Sequence, residues 1–189
     1  AVCVMWASWP DSSDRFDRVC ERIQTLMPLS EERWVIFFNQ VGQCAEQFHD
    51  VSLAVAAYAE AIARAQQIPD LAVRKTLLVR SNLNISRIEF MRGVSPRETL
   101  KRQRDALRLI HRSNLSAEDA LLMLYTGMNE HFCGSIQEGT TLREAAIKCL
   151  EQFDYPDMEA EVTPLVGWHY YLLGNFTETI SYYESLILA

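Results

Sequence analysis

The residues that punctuate β-structure are scarce in this chain, which has only 7 glycines and 6 prolines among 189 residues. A sandwich or barrel with many tight turns needs more of both, so the composition favours helices. No apolar run reaches the roughly 18 residues that would span a bilayer. Because 49% of the residues are hydrophobic and 23% are charged, the composition also excludes an intrinsically disordered chain.

The cysteines do not suggest a disulfide framework, because their number is 5 and no Cys-x-x-Cys spacing occurs. Reduced, mostly buried thiols are typical of cytosolic proteins. The first residues also lack the basic and then apolar pattern of a secretory signal. We therefore expect a cytoplasmic protein. Since the chain opens on Ala1 and stops inside an apolar helical pattern, we also expect a fragment of a longer polypeptide.

Signatures of catalysis, metal binding and phosphate binding are missing. The chain has no Gly-rich phosphate loop, no dinucleotide fingerprint and no nucleophile elbow. Its 4 histidines have no partner one helical turn away. His131 lies closest to other ligand types, Glu130 and Cys133, but three such side chains within four positions cannot all face one way on a helix. The sequence therefore predicts no enzyme activity, no cofactor and no metal.

A repeated helical pattern is the strongest positive signal, and it is clearest near the C-terminus. There Gly167 precedes Tyr170 by one turn, Gly174-Asn175 interrupts the helix, and an apolar face with spacings of three or four follows from Phe176. This face continues through Thr179, Tyr183 and Leu186 and is expected to pack inside the hairpin.

Earlier copies of the template repeat these offsets. The copy from Gly42 to Ala61 fits without a gap, whereas the copies that start at Asn84 and Gly127 fit when three residues are inserted in the turn. The template starts lie about 40 residues apart, a spacing that is typical of a solenoid of helix hairpins.

The pattern resembles the tetratricopeptide repeat: a small residue, a Tyr one turn later, a Gly-Asn or Asp turn before the second helix, then Ala, Tyr and Ala. The resemblance implies an all-α fold, a right-handed α-solenoid of about four to five helix hairpins. It predicts one repeat domain over 1–189, with units near 1–30 (degraded), 35–68, 77–113, 120–153 and 160–189. The irregular units are similar to the helical-repeat segment of bacterial signal-transduction ATPases and transcription activators.

In such repeats the first helix of each hairpin lines a concave groove, where a partner would bind. On this chain the predicted groove has an amide-rich end at Asn39, Gln43, Gln47 and Asn82, and an aromatic end at Tyr125, Met128, His131, Phe132, Trp168 and Tyr171. Amides can bond an extended backbone, and aromatic rings supply anchors. Alternatively, further repeats bury Trp168 and Tyr171.

Charge is distributed unevenly along the chain, whose net charge is −7. Residues 71–112 contain 11 basic and 3 acidic side chains, whereas 113–189 contain 2 basic and 12 acidic ones. One helical face carries Arg97, Lys101, Arg104 and Arg108. We interpret this stripe either as a solvated face or as a convex basic patch for an acidic partner or a neighbouring domain. No aromatic residue interleaves it, so nucleic acid is disfavoured.

These observations predict a non-catalytic module that binds a protein, a peptide or another domain of the same polypeptide. The resemblance places it as a sensor or coupling segment of a bacterial transcription regulator. Two alternatives stay open. One is a sensor of a small ligand or signalling peptide at the aromatic end, and the other is a structural module that forms a homo-oligomer through the apolar end at 180–189.

Overall fold

The computed structural model describes residues 18, 20–23, 25, 29–93, 95–111, 114–154 and 158–187, with side chains described as far as residue 184. Over these ranges the chain is all-helical and contains no strand, which confirms the predicted all-α class. The degraded repeat expected near 1–30 lies largely outside the described residues. Among the described helices, none has the length and apolar character needed to cross a membrane.

Eight helices have defined bounds in this part of the chain, and described residues between 18 and 25 are helical as well. The eight are α1 Glu31–Gln47, α2 Val51–Ala65, α3 Leu71–Arg92, α4 Pro96–Leu107, α5 Ala117–Phe132, α6 Ile136–Leu150, α7 Glu159–Leu172 and α8 Phe176–Ile187.

The chain divides into two compact units, Ala1–Arg92 and Gly93–Ala189, here called the N-terminal and C-terminal units. In the N-terminal unit α1 and α2 form a hairpin, and α3 packs on both of them. In the C-terminal unit α4 packs on α5, and the hairpins α5–α6 and α7–α8 pack on each other. The unit boundary falls inside the predicted repeat 77–113, so its helices α3 and α4 belong to different units. The solenoid and the single-domain organisation stay predictions.

Three hairpins share one turn geometry. The pairs α1–α2, α5–α6 and α7–α8 are each joined by three residues, and the middle one has a left-handed backbone: His49 with φ 60°, Gly134 with φ 96° and Gly174 with φ 77°. The amide after each of these residues donates to a carbonyl five positions earlier, which closes the helix C-terminus. The three-residue insertion predicted for the copy at Gly127 is therefore wrong.

The two helices of each hairpin meet where a glycine faces a large side chain 16 residues later. The pairs are Gly42 with Tyr58, Gly127 with Arg143, and Gly167 with Tyr183. A Cβ atom on any of these glycines would lie within 3 Å of its partner's side chain. Only glycine therefore permits these helices to approach so closely.

Each unit has its own buried core. In the N-terminal unit Trp34 stacks on Phe38 with ring centroids 5.5 Å apart, and the guanidinium of Arg64 lies 5.0 Å from the centre of the Trp34 ring. In the C-terminal unit the core is mainly aliphatic and centres on Leu121, Leu122, Leu124, Met128 and Leu150, all almost fully buried. Helix α5 begins with a capping box between Ser116 and Asp119. The box gives the backbone N–H groups of Ser116 and Asp119 hydrogen-bond acceptors at the start of α5.

Candidate partner-binding surfaces

The amide-rich end of the predicted groove is only partly on the surface. Asn39 and Asn82 are buried, and Asn39 donates to the carbonyl of Val35 at 2.9 Å and to the hydroxyl of Ser81 at 2.8 Å. These two amides are interior residues, which corrects their predicted place in a binding groove. Gln43 and Gln47 are exposed, and their role in binding stays a prediction.

The aromatic end of the groove is divided in the same way. Tyr125 and Met128 are buried, and the hydroxyl of Tyr125 donates to Oε1 of Glu161 at 2.6 Å. Their packing inside the C-terminal unit removes them from the predicted groove. His131 is half-buried, whereas Trp168 and Tyr171 are 41% and 54% exposed. The two large rings are therefore on the surface.

Four exposed rings form a continuous series, here called the aromatic row: Phe132, Trp168, Tyr171 and Phe176. Ring centroids lie 6.2 Å apart between Phe132 and Trp168, 6.1 Å between Trp168 and Tyr171, and 5.7 Å between Tyr171 and Phe176. All three contacts are edge-to-face, the geometry that aromatic pairs prefer. The row runs from the end of α5 across α7 to the start of α8.

Exposure of Phe176 departs from the sequence prediction, which placed it on the packed face of the second helix. The side chain lies in the first turn of α8 and is 58% exposed, although its ring contacts that of Tyr171. Ile180, one turn later, is 57% exposed, so apolar surface continues along α8. Beside the row a recess of about 310 Å³ is lined by Trp168, Tyr171, Thr179 and Tyr183.

The four residues of the predicted basic stripe lie on α4 and at its C-cap. They line one depression of about 430 Å³, together with Leu100, Asp105 and Cys133. Two of the four already have acidic partners. Arg104 makes two hydrogen bonds of 2.6 Å to Glu130, which raise the pKa of Arg104, and Arg108 pairs with Asp105 at 2.7 Å.

Arg97 and Lys101 are the cations of this depression that remain available to an acidic group. Both side chains are exposed, and among the described residues neither has an ion-pair partner. The depression thus offers two free positive charges rather than four, which weakens its attraction for a polyanion. Its proposed role towards an acidic partner stays a prediction.

A cavity of about 780 Å³ in the C-terminal unit follows one side of α6. Apolar side chains such as Met123, Leu142 and Cys149 and polar side chains such as Gln137 and Lys148 line it together. Burial raises the pKa of the Cys149 thiol, so this cysteine is a poor nucleophile. Across the described residues no group of three His, Cys, Asp or Glu side chains is placed to hold a metal ion.

A buried guanidinium that the repeat pattern did not predict lies next to the aromatic row. Arg143 is 0% exposed and donates to Nδ1 of His169 at 3.1 Å and to the carbonyl of Gly127 at 2.8 Å. Its Nη2 donates to the hydroxyl of Thr140 at 3.2 Å and lies 3.5 Å from Nδ1 of His131. We call Arg143, His131 and His169 the Arg143 cluster.

Burial and the positive charge of Arg143 lower the pKa values of His131 and His169 below the usual 6.5. Burial also lowers the pKa of Arg143 itself. The signal in the sequence was the 16-residue offset between Gly127 and Arg143, which equals the offset between Gly42 and Tyr58. The insertion assumed for that repeat concealed it.

Comparison with models of protein families, with curated proteins and with solved structures gives no match. The resemblance to tetratricopeptide repeats therefore stays a prediction from the sequence. The candidate surfaces rest on the geometry described above.

Proposed function

We propose that this chain is a non-catalytic module that binds a protein or peptide partner through the aromatic row. The observation that carries the proposal is the run of exposed, mutually contacting rings from Phe132 to Phe176. Large exposed apolar patches on soluble proteins usually mark interaction sites. Trp and Tyr are also the residues that most often dominate binding energy at interfaces.

The shape of this surface favours a macromolecular partner over a small ligand. Small-molecule sites bury most of the ligand in a concave cavity. The recess beside the row is bounded by Trp168 and Tyr171, which themselves are about half exposed. An apolar side chain of a partner helix or peptide can insert there, while the rest of the partner covers the neighbouring rings.

The resemblance to the repeat segments of bacterial transcription activators supports a more specific proposal. In that context the module is a sensor or coupling segment, and its partner is another protein or another domain of the same polypeptide. The geometry of the aromatic row is compatible with either partner, because both supply apolar anchors.

Affinity capture with paired variants tests the proposal. The full chain, the double variant Trp168→Ala/Tyr171→Ala and the control Phe48→Ala are used as baits at pH 7.5. Phe48 is 48% exposed and lies in the N-terminal unit, so it matches the loss of an exposed ring outside the row. Circular dichroism first establishes that all three proteins fold.

We expect the wild type and Phe48→Ala to capture a protein that the double variant does not capture. Titration of that protein should show at least a 30-fold loss of affinity for the double variant, which corresponds to about 2 kcal/mol. Equal affinity in all three proteins would rule out the aromatic row as the site. Light scattering of the purified chain then shows whether it forms a homo-oligomer, in which case the partner is a second copy of the chain rather than a different protein.

A second candidate function, small-ligand sensing, is favoured by the 780 Å³ cavity beside α6, since its volume is that of typical ligand sites. Native mass spectrometry of the purified chain should then detect a bound molecule. Ala145→Trp, which fills the cavity from an exposed lining position, should displace it. A ligand that remains after this substitution binds elsewhere.

A further inference from the structure

We propose that the Arg143 cluster is a pH-sensitive switch, which holds α7 on the α5–α6 hairpin near neutral pH and releases it on acidification. The inference rests on the proposed function, since the element that it controls carries Trp168 and Tyr171 of the aromatic row. Binding through the row would then be lost as the pH falls.

Hydrogen-bond chemistry fixes the protonation state of the cluster. A guanidinium has only donors, so Nδ1 of His169 can accept from Nε of Arg143 only when that nitrogen carries no proton. His169 is 4% exposed and Arg143 is 0% exposed, so water does not screen their charges. A proton on His169 would remove this hydrogen bond and place a second positive charge beside the first.

No described hydrogen-bond partner of Arg143 is a carboxylate that could offset such a charge; its partners are His169, Gly127, Thr140 and His131. Glu144, on α6, is exposed, and its attraction raises the pKa of His169 less than burial and Arg143 lower it. Protonation at either histidine therefore opposes the folded arrangement.

On the other packed elements, the carboxylates with described hydrogen bonds have partners outside the Arg143 cluster. On α5 the carboxylate of Glu130 is bound by Arg104, and on α7 the carboxylate of Glu161 accepts from Tyr125. From α8, Tyr183 donates its hydroxyl to the carbonyl of Pro164, and burial raises the pKa of Tyr183, so it carries no charge near neutral pH.

The direction of the pH effect follows from the lowered pKa values. Below pH 6.5 an unfolded or released histidine binds a proton more readily than the packed one. The packed arrangement therefore loses stability as the pH falls from about 6.5 towards the lowered pKa values, and it is unaffected above about 7.5. If the pKa of a histidine is lower by one in the packed state than in the released state, the equilibrium between packed and released α7 changes tenfold.

The cluster is adjacent to the aromatic row at two points. His131 is followed by Phe132 at the end of α5, with ring centroids 6.1 Å apart, and His169 follows Trp168 on α7. The contact between Phe132 and Trp168 is the step of the row that joins α5 to α7. Movement of α7 away from the hairpin separates those two rings and divides the row.

Hydrogen exchange of the full chain at pH 7.5 and 5.5, with rates normalised to the intrinsic exchange rate at each pH, measures the release. Amides of α7 should lose about tenfold or more in protection at pH 5.5, relative to amides of α1 in the same sample. The variant His131→Gln/His169→Gln should abolish this loss, because Gln offers an acceptor that stays uncharged. The control His111→Gln, at an exposed histidine, should behave like the wild type.

Titration of the histidine ring protons by NMR gives an independent reading on the wild-type chain. His131 and His169 should titrate below 6.5, and Arg143→Met should move both values up towards 6.5. If the double glutamine variant does not fold, this titration of the wild-type chain tests the proposed switch in its place. A normal pKa for His169 in the wild type, or equal protection of α7 at both pH values, would overturn the switch.

Both measurements use the chain without a partner, so their failure leaves the proposed function intact. Binding measured at pH 7.5 tests that function separately. Once a partner is identified, affinity that is unchanged at pH 5.5 would also overturn the regulatory proposal. A loss of affinity at pH 5.5 that His131→Gln/His169→Gln prevents would support it.

Discussion

The two units build the same close hairpin contact around different chemistry. In the N-terminal unit Gly42 faces Tyr58, whose hydroxyl donates to Glu46, and Arg87 makes hydrogen bonds of 2.9 and 3.0 Å to the same carboxylate. Negative and positive charge meet there. In the C-terminal unit Gly127 faces Arg143, whose described partners are two histidines, a hydroxyl and a carbonyl.

This difference teaches that the glycine fixes the distance between the helices but not the electrostatics of the contact. A neutral tyrosine and a guanidinium both fill the space opposite a glycine. At the Gly42 contact a carboxylate faces the guanidinium of Arg87, whereas the described partners of Arg143 include two histidines, which gain protons as the pH falls. We therefore expect pH sensitivity below about pH 6.5 in the C-terminal unit, where two histidines lie beside a buried cation.

The largest expected effect comes from truncation of the cation. Arg143→Ala removes a fully buried side chain together with its hydrogen bonds to the carbonyl of Gly127 and to Nδ1 of His169. We expect a loss of about 3–5 kcal/mol in the free energy of unfolding, measured by urea denaturation at pH 7.5. Arg143→Met keeps most of the volume without the charge and should lose less than half as much. Equal losses would show that hydrogen bonds rather than packing volume hold this contact.

Overfilling the two tyrosine contacts compares the units directly. Gly42→Leu and Gly167→Leu both place side-chain atoms against a tyrosine, at a cost of about 1–3 kcal/mol. Tyr58 is 0% exposed and cannot move aside, whereas Tyr183 is half-buried and can rotate towards solvent. Gly42→Leu should therefore fall at the upper end of the range and Gly167→Leu at the lower end, by urea denaturation. The reverse order would mean that Tyr183 is the more constrained ring.

The sequence was sufficient to predict the helices but not to predict which of their side chains are exposed. Helical spacing and the Gly167–Tyr183 pattern predicted the hairpin α7–α8, because close packing needs a small residue opposite a large one. The same spacing could not separate Met128, which is buried, from Trp168, which is exposed, since each directly follows the glycine of its hairpin. Burial at such positions depends on contacts between helices that are distant in the sequence, such as the hydrogen bond from Tyr125 on α5 to Glu161 on α7, 36 residues later.

Two basic residues of the depression beside α4 should differ in their contribution to stability, and by less than the effects above. Arg104→Ala leaves the carboxylate of Glu130, 4% exposed, without its two hydrogen bonds and should cost about 1–2 kcal/mol. Lys101→Ala, on the same helix face, should cost less than about 0.5 kcal/mol because its ammonium is exposed and has no described ion pair. Thermal unfolding of the two variants side by side measures the difference. Similar losses would mean that Glu130 finds another donor.

The turns should show the smallest effect and test whether the hairpins of the two units are equivalent. His49 and Gly134 occupy the same left-handed position, which costs a residue with a Cβ about 1 kcal/mol. Gly134→Ala should lose about that much, and packing cannot contribute because no atom lies within 4 Å of the added Cβ. His49→Gly relieves the strain but frees the unfolded chain, so a net gain of about 0.5 kcal/mol in urea denaturation is expected. A loss of stability on His49→Gly would show that the imidazole itself stabilises this turn. The two hairpins would then have the same turn geometry for different physical reasons.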